Sequence, residues 1–199
     1  IADMHRRQDY EYSAFAILYR TNAQSRIFEE ALRKKNIPYR IYGGLSFYQR
    51  KEIKDVMAYF RLAVNPMDEE AFKRVLNYPL RGIGDTTLAK ILAAANTSNI
   101  SLWEVLGNPT EYGCKFNSGT LSKLEGFHSL ISGFVEMSET TDAAALGKKI
   151  MEDSGILNDV YKDNSPEDLS RQQNLDELYN GMTDFVATRQ EEGNEFVST

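Results

Sequence analysis

The order of apolar and polar positions in the first 42 residues predicts two strands flanking a helix. Residues 15–19 form a short apolar run typical of a buried strand, and residues 39–42 predict a second strand that ends at Gly43 and Gly44. Between them, apolar positions recur with helical spacing over residues 23–36. Strand, helix and strand in this order form a βαβ unit of an α/β sheet. Since two strands do not make a stable sheet alone, this unit looks unfinished.

From Gly44 onward the apolar positions recur with helical periodicity and predict a series of helices. The clearest stripe covers residues 51–64 and is followed by the helix-breaking pair Asn65 and Pro66. Six more helices are predicted. The first contains Phe72, Val75 and Leu76, the second begins at Asp85 and Thr86, and the third opens with a capping box of Ser101 and Glu104. The fourth carries Leu121, Leu124, His128, Ile131 and Val135, the fifth ends near Gly155, and the sixth starts at Ser165 and Pro166. The polar residues 191–199 are expected to fray. The predicted fold class is therefore mainly α, preceded by a partial α/β segment.

Composition places the chain among globular proteins and excludes several kinds of site. The chain has 199 residues, of which 42% are hydrophobic and 26% charged, which is too apolar for a disordered protein. Its one cysteine, Cys114, excludes an internal disulfide framework and a cysteine-based zinc site, and two histidines disfavour a histidine-rich metal centre. No apolar run approaches the about 20 residues that span a bilayer. We therefore expect a cytoplasmic protein with no metal site and no membrane partner.

Charge is distributed unevenly along the chain. The net charge is −6, but residues 20–54 carry nine basic and three acidic side chains, a local balance of +6. Residues 165–199 carry two basic and eight acidic side chains, a local balance of −6. Such runs are compatible with solvated helix faces or with a local phosphate-binding surface on an otherwise acidic protein. Net charge alone therefore does not argue against a nucleic-acid partner.

Motifs for autonomous catalysis are absent from the sequence. It contains no GxxxxGK(S/T) phosphate loop, no GxSxG elbow and no HExxH pair. Cys114 lacks a neighbouring histidine, and His128 falls on the apolar face of its predicted helix, so both are interpreted as structural residues. We predict no catalytic residue and no cofactor in this chain.

The segment that connects two predicted helices at residues 79–84 has the strongest chemical signal. Its two glycines let the backbone approach a ligand closely, and the unpaired N–H groups that open the next helix favour an anion. Basic and hydroxyl side chains flank these groups, as expected for a phosphate of duplex DNA. The candidate residues are Arg81, Gly82, Ile83, Gly84, Thr86, Thr87 and Lys90. The alternative is a tight helix-to-helix turn that requires glycine for its geometry alone.

A second candidate segment follows the first predicted strand. Arg20, Thr21, Asn22 and Arg26 lie where that strand ends and the helix begins. Ligands of open α/β sheets bind at this edge, and these polar groups suit a phosphodiester backbone. A helix cap made by Thr21 or Asn22 would explain the same residues, and the two interpretations are compatible.

Two long segments carry a family resemblance. They read AILYRTNAQSRIFEEALRKKNIPYRIYGGLSFYQRKEIKDVMAYFRL and NYPLRGIGDTTLAKI, and both resemble the UvrD/PcrA/Rep group of superfamily 1 DNA helicases. The resemblance implies that residues 1–42 are part of a RecA-like subdomain called 2A and that residues 43–199 are a helical 2B-like domain. It implies contacts of Arg20, Thr21, Asn22 and Arg26 with single-stranded DNA and contacts of the 82–84 turn with duplex DNA. Further candidates for DNA binding are Phe47, Arg50, Lys51 and Lys54.

The resemblance also implies what the parent protein does. The parent would be an ATP-dependent 3′–5′ DNA helicase of repair or replication that uses ATP and Mg²⁺, whereas this piece would bind DNA and lack the ATPase site. Its partners would be a single-strand/duplex junction, the remaining helicase subdomains and repair proteins. The competing interpretation is a non-catalytic protein-interaction module that docks through the acidic C-terminal helices.

Overall fold

Two compact units make up the chain. A computed structural model describes residues 1–163 and 165–193. The first unit comprises residues 1–54 and 164–178, and the second comprises residues 55–163 and 179–199. The boundary predicted between residues 42 and 43 concerns helicase subdomains, and it stays a prediction.

Helices dominate the described residues. Single 3₁₀ turns lie at Tyr12–Ala14, Asn22–Gln24 and Phe47–Gln49. The α-helices are α1 (Ala2–Gln8), α2 (Ser25–Lys34), α3 (Lys51–Val64), α4 (Glu69–Val75), α5 (Asp85–Ser98), α6 (Leu102–Gly107), α7 (Ser118–Ser138), α8 (Ala143–Asp153), α9 (Ile156–Val160) and α10 (Pro166–Glu191). The mainly α class predicted from the sequence is confirmed.

The two predicted strands are the main difference from the sequence prediction. No residue in the described part of the chain is in a β-strand, although the backbone at Phe15 is extended (φ −107°, ψ 142°). A strand needs a neighbouring strand to pair its N–H and C=O groups, and residues 15–19 and 39–42 do not form a ladder with each other. The helix between them is present as α2. The βαβ prediction was therefore wrong for its strands in this chain.

The second unit has a buried apolar core. Consecutive helices from α5 to α9 pack against one another in sequence order. The ring of Tyr59 on α3 meets Phe134 on α7 edge to face at 6.2 Å, and Phe72 on α4 meets Phe127 in the same way at 5.8 Å. These four side chains are buried. The core thereby fixes α4, whose C-terminal end leads into the segment around residues 79–84.

Several predicted helix boundaries are confirmed. α3 spans residues 51–64 as predicted, and Ser101 and Glu104 form the reciprocal capping box at the start of α6. Gly155 follows α8 in the left-handed conformation (φ 86°), and the Ser165 hydroxyl accepts from the Asp168 N–H at 3.1 Å. Helices α1 and α9 are not predicted, because each is too short to show a periodic stripe. Most of the tail expected to fray, residues 194–199, lies outside the described residues.

The described residues contain neither a membrane-spanning helix nor a metal-binding cluster. None of the helices there combines the length and the apolar character needed to cross a membrane. Within the same residues, no three His, Cys, Asp or Glu side chains cluster in a way that could hold a metal ion.

Close packing between helices in the second unit predicts opposite effects for one substitution at two positions. A Cβ added to Gly147 on α8 would lie 2.5 Å from Sδ of Met182 on α10 and 3.0 Å from Cζ of Phe60 on α3. Because the end of the Met182 side chain can turn aside but the buried Phe60 ring has little room to move, we expect Gly147→Ala to lower the free energy of unfolding by about 1 kcal/mol through overpacking. Gly126→Ala on α7 is the matched control, since nothing lies within 4 Å of its added Cβ. Urea unfolding should show the control stabilised by about 0.5–1 kcal/mol, and equal effects at both positions would contradict this packing.

Candidate nucleic-acid interface

The segment joining α4 to α5 has a defined conformation. Gly82 has φ +71°, a left-handed conformation that side chains rarely adopt, and Ile83 is buried with 2% exposure. Gly84 precedes α5 without a side-chain cap, and nothing lies within 4 Å of a Cβ built on it. The first turn of α5 therefore begins at a bare backbone position with open space beside it. This is the arrangement that an incoming anion requires.

Asn77 organises this segment and was missed by the sequence reasoning. Its side-chain Oδ1 accepts from the backbone N–H groups of Arg81 at 3.1 Å and Ile83 at 3.0 Å. One amide oxygen thereby ties the backbone on both sides of Gly82. A polar residue at the end of a helix and shortly before a glycine turn is the sequence signal that could have found it.

Arg81 does not extend to solvent from the turn. Its side chain is partly buried, and its terminal nitrogens donate to backbone carbonyl oxygens and to the hydroxyl of Tyr59 within the second unit. Of the predicted duplex contacts, Gly82, Gly84 and Thr86 are exposed, whereas Thr87 is partly buried and its N–H donates to the Gly84 carbonyl at 2.9 Å.

One lysine ammonium group contacts the turn, and a second lies further along α5. Nζ of Lys123, on α7, donates to the Gly82 carbonyl at 3.3 Å. Nζ of Lys90, on α5, donates to the Lys115 carbonyl at 3.3 Å and lies 5.5 Å from the centre of the Phe116 ring. Lys123 is thus a further cation at the turn, and it is far from the turn in sequence. The exposed carboxylate of Asp85 in the first turn of α5 adds a negative charge at the helix start, which disfavours an anion there.

The predicted single-strand residues fall into two groups in the first unit. Thr21 and Gln24 form a capping box around the 3₁₀ turn, and Gln24 Oε1 accepts from the N–H of Arg20 at 2.9 Å. Arg20 and Asn22 are exposed beside that cap. Thr21 thus lies at the cap position of the 3₁₀ turn and not of α2, whose cap position is Gln24, and the neighbouring side chains stay accessible.

Arg26 has a different environment. Its side chain is buried and pairs with Glu30 at 3.0 Å and Glu177 at 2.8 Å. Burial acts to lower the pKa of Arg26, but the hydrogen bond and charge of Glu177, together with Glu30, outweigh it and raise the pKa. The guanidinium therefore stays charged and holds α2 to the first half of α10. Glu177 is accordingly part of an ion pair rather than solvated surface.

Two of the four further candidates are also interior residues of the first unit. Phe47 has no exposed surface, and Arg50 donates to Asn174 Oδ1 at 2.7 Å and to Ser25 Oγ at 2.9 Å. Burial lowers the pKa of Arg50. Lys51 and Lys54, by contrast, are exposed on the first turns of α3. The basic run at residues 20–54 is thus divided between buried structural arginines and surface cations.

A buried carboxylate holds the segment before α3. Glu29 is 2% exposed, and it accepts from the Phe47 N–H at 2.9 Å and from the hydroxyls of Ser46 and Tyr39. At the next position of α2, Glu30 accepts from the Tyr48 hydroxyl. Burial, and to a smaller extent the Glu30 carboxylate, raises the pKa of Tyr48 to about 12. These contacts join residues distant in sequence, so no local pattern signals them.

The residues tested for catalytic chemistry have structural environments. Cys114 is buried, burial raises the pKa of its thiol, and its sulfur lies 3.7 Å from the Lys90 carbonyl. His128 stacks on Trp103 with ring centres 4.3 Å apart, and burial lowers its pKa. Neither residue is set up as a nucleophile or a metal ligand.

Comparison with known proteins supplies the family context. The family model described as the UvrD-like helicase C-terminal domain matches residues 1–197. The chain is 38% identical over 185 residues to the ATP-dependent DNA helicase PcrA of Leuconostoc citreum, covering 93% of this chain and 25% of that protein. It is 36% identical to PcrA of Staphylococcus epidermidis over 91% of this chain and 25% of the relative, and 34% identical to PcrA of Staphylococcus aureus over 91% and 24%. The chain thus spans about a quarter of the length of these relatives.

The double role of the Asn77 side chain predicts a measurable cost for its removal. We expect Asn77→Ala to lower the free energy of unfolding by about 1–3 kcal/mol, because it leaves the N–H groups of Arg81 and Ile83 without their acceptor. Hydrogen exchange at these two amides should accelerate. Asn77→Asp keeps an oxygen in place and should lose much less stability. Exchange that is unchanged in Asn77→Ala would show that this side chain does not hold the turn.

Proposed function

This chain belongs to the family of UvrD-like helicase C-terminal domains, and on that basis we propose that it is the DNA-binding part of an ATP-dependent 3′–5′ DNA helicase. The parent enzyme would unwind duplex DNA in repair or replication and would bind ATP and Mg²⁺ through segments outside this chain. Residues 1–42 would belong to its RecA-like 2A subdomain and residues 43–199 to its helical 2B subdomain.

The observation that carries this proposal is the open start of α5 behind Gly84. Its first N–H groups have no side-chain cap, Nζ of Lys123 contacts the Gly82 carbonyl, and Lys90 is exposed on the second turn of the same helix. Backbone N–H groups at a helix start together with nearby cations bind phosphate without reading bases. A helicase must hold duplexes of any sequence, so contacts of this kind suit its task.

The proposed single-strand contact lies in the first unit. Arg20 and Asn22 are exposed around the capped turn that precedes α2, and Lys51 and Lys54 are exposed at the start of α3. We assign the strand contact to Arg20, Thr21 and Asn22, with Lys51 and Lys54 as further cations. The burial of Arg26, Phe47 and Arg50 favours a supporting role for these three residues.

Exposed apolar groups in the first unit support the remaining helicase subdomains as partners. Residues 15–19 and 37–42 line a cavity of about 790 Å³, and Leu18 and Tyr42 are 94% and 84% exposed. A cluster of exposed large apolar side chains indicates a surface that another protein segment covers. We propose that other segments of the parent helicase cover these residues.

In the proposed cycle, two RecA-like subdomains close on ATP and open after hydrolysis. The group around Arg20 would hold and release the translocating strand, while the turn at residues 82–84 would hold the duplex ahead of the fork. Rotation of the 2B subdomain would then regulate unwinding.

The competing function, docking of a protein partner on the acidic C-terminal helix, has weaker support. Glu177, one of the acids that would form that face, is committed to Arg26 at 2.8 Å. A partner protein would then read a face with fewer free carboxylates than the sequence suggests. Repair proteins remain proposed partners of the parent enzyme.

Salt dependence of binding to forked DNA tests the proposed duplex contact. We expect log K to fall linearly with log[salt], and Lys90→Gln and Lys123→Gln should each flatten the slope by about 0.9, the value for one lost phosphate contact. Asp85→Asn should tighten binding, because it removes the exposed carboxylate from the same helix start. Fluorescence anisotropy over a salt series measures all three effects.

The matched control for these variants is Lys149→Gln. Lys149 is an exposed lysine of the second unit that pairs with Asp153 at 2.9 Å on α8, remote in sequence from the turn. It should leave the slope unchanged. A folded wild-type chain that fails to bind forked DNA at low salt would contradict the proposal and favour the interaction module.

The absence of a phosphate-loop motif yields a separate expectation. Because no phosphate loop occurs in the sequence, we expect this chain to show no DNA-stimulated ATP hydrolysis. A coupled-enzyme assay with and without single-stranded DNA measures this. Stimulated turnover by the purified chain would overturn the assignment of ATP binding to other segments.

A further inference from the structure

We infer that Arg81 is a positioning residue that holds the turn in its binding conformation from inside, rather than a phosphate contact. The inference rests on the proposed binding of duplex DNA by this turn. In this view the backbone N–H groups and the lysines contact the phosphate, and Arg81 affects binding only by holding those groups in place.

The guanidinium of Arg81 is fully engaged at both terminal nitrogens. Nη1 donates to the carbonyl oxygens of Val75 at 3.0 Å, Tyr78 at 2.8 Å and Pro79 at 3.2 Å. Nη2 donates to the Tyr59 hydroxyl at 2.6 Å and to the Ser154 carbonyl at 2.9 Å. A bidentate pair with a phosphate would use these same N–H groups, so it would require breaking the internal bonds first.

The acceptors explain why a cation is favourable at this position. Val75 is the last residue of α4, and Ser154 directly follows α8, so their carbonyls belong to helix ends that lack intrahelical partners. The C-terminal ends of helices carry partial negative charge, which a guanidinium stabilises. The Arg81 Cζ also lies 5.4 Å from the centre of the Phe127 ring and 5.8 Å from that of Tyr59.

Tyr59 extends the same network into the core. It is completely buried, accepts from Arg81, and donates from its hydroxyl to the Tyr78 carbonyl at 2.5 Å. Burial raises the pKa of Tyr59 to about 12, so its hydroxyl keeps its proton at neutral pH. Because Tyr59 has no exposed surface, it can influence DNA binding only through the residues it contacts.

Arg81 therefore fixes the turn on its inner side while its backbone N–H is held by Asn77. The binding face, the N–H groups behind Gly84 and the lysine ammonium groups, is then formed before DNA arrives. A turn that also samples other conformations binds with its intrinsic affinity multiplied by the fraction of time it spends in the binding-competent conformation. Loss of Arg81 should weaken binding in this way without removing a phosphate contact.

The test compares Arg81→Gln and Arg81→Lys with Lys90→Gln in the 199-residue chain bound to duplex DNA over a salt series. We expect both Arg81 variants to bind about tenfold more weakly at every salt concentration with an unchanged slope. Lys90→Gln should instead flatten the slope by about 0.9. A flattened slope in Arg81→Gln together with near-normal affinity in Arg81→Lys would show direct phosphate contact and overturn the inference.

Tyr59→Phe keeps the buried ring and removes the hydroxyl, so it tests the same network without altering a charge. It should weaken DNA binding less than Arg81→Gln does, again with an unchanged slope, and urea unfolding should confirm that each variant is folded. Hydrogen exchange at the Ile83 amide, measured without DNA, should accelerate in both. Unchanged exchange overturns the positioning role even if the wild-type chain does not bind DNA, whereas absent wild-type binding with accelerated exchange would fault only the proposed function.

Discussion

The hydrogen bonds between the Arg81 guanidinium and the carbonyls at two helix ends are the interaction on which the proposed site depends. They draw the C-terminal ends of α4 and α8 together: the Ser154 carbonyl accepts from Arg81, and the Val75 carbonyl accepts from Arg81 as well as from the Tyr78 N–H. The adjacent Gly82 adopts a left-handed conformation, and Gly84 leaves the start of α5 uncapped. The inner side of the turn is thus fully bonded while its outer side is left open. The proposed phosphate site rests on that asymmetry.

The charge of the chain is informative only after the structure sorts its residues. Arg26 and Arg50 contribute to the basic run at residues 20–54, yet both are buried and bonded within the first unit. Lys123 lies outside that run and reaches the turn from α7. The charge count along the sequence therefore overestimates the positive charge on the surface formed by residues 20–54 and misses the lysine at the turn. A net charge of −6 is compatible with phosphate binding because the proposed contacts are few, local and partly made by the backbone.

Local patterns predicted the helices well and the polar interior poorly. The stripe on residues 51–64 located α3 because its buried positions are set by its own periodicity, and Ser101 with Glu104 marked α6 because a capping box is a local interaction. The strands failed because pairing depends on neighbours that a single segment does not contain. The inward orientation of the Arg81 side chain could not be predicted from local patterns either, since its acceptor Ser154 lies 73 positions away in the sequence. Glycine spacing identified where the turn is, but not which side chains build it.

Backbone amide chemical shifts, followed while a short blunt DNA duplex is added to the ¹⁵N-labelled chain, test the central claim most directly. The account predicts that the largest shifts fall on the amides of Gly84, Asp85 and Thr86, where the helix start faces open space. The amides around Glu177 on α10 should not move. Shifts confined to α10, or an absence of shifts at the turn despite measurable binding, would contradict the claim that an open helix start held by Arg81 receives the duplex phosphate.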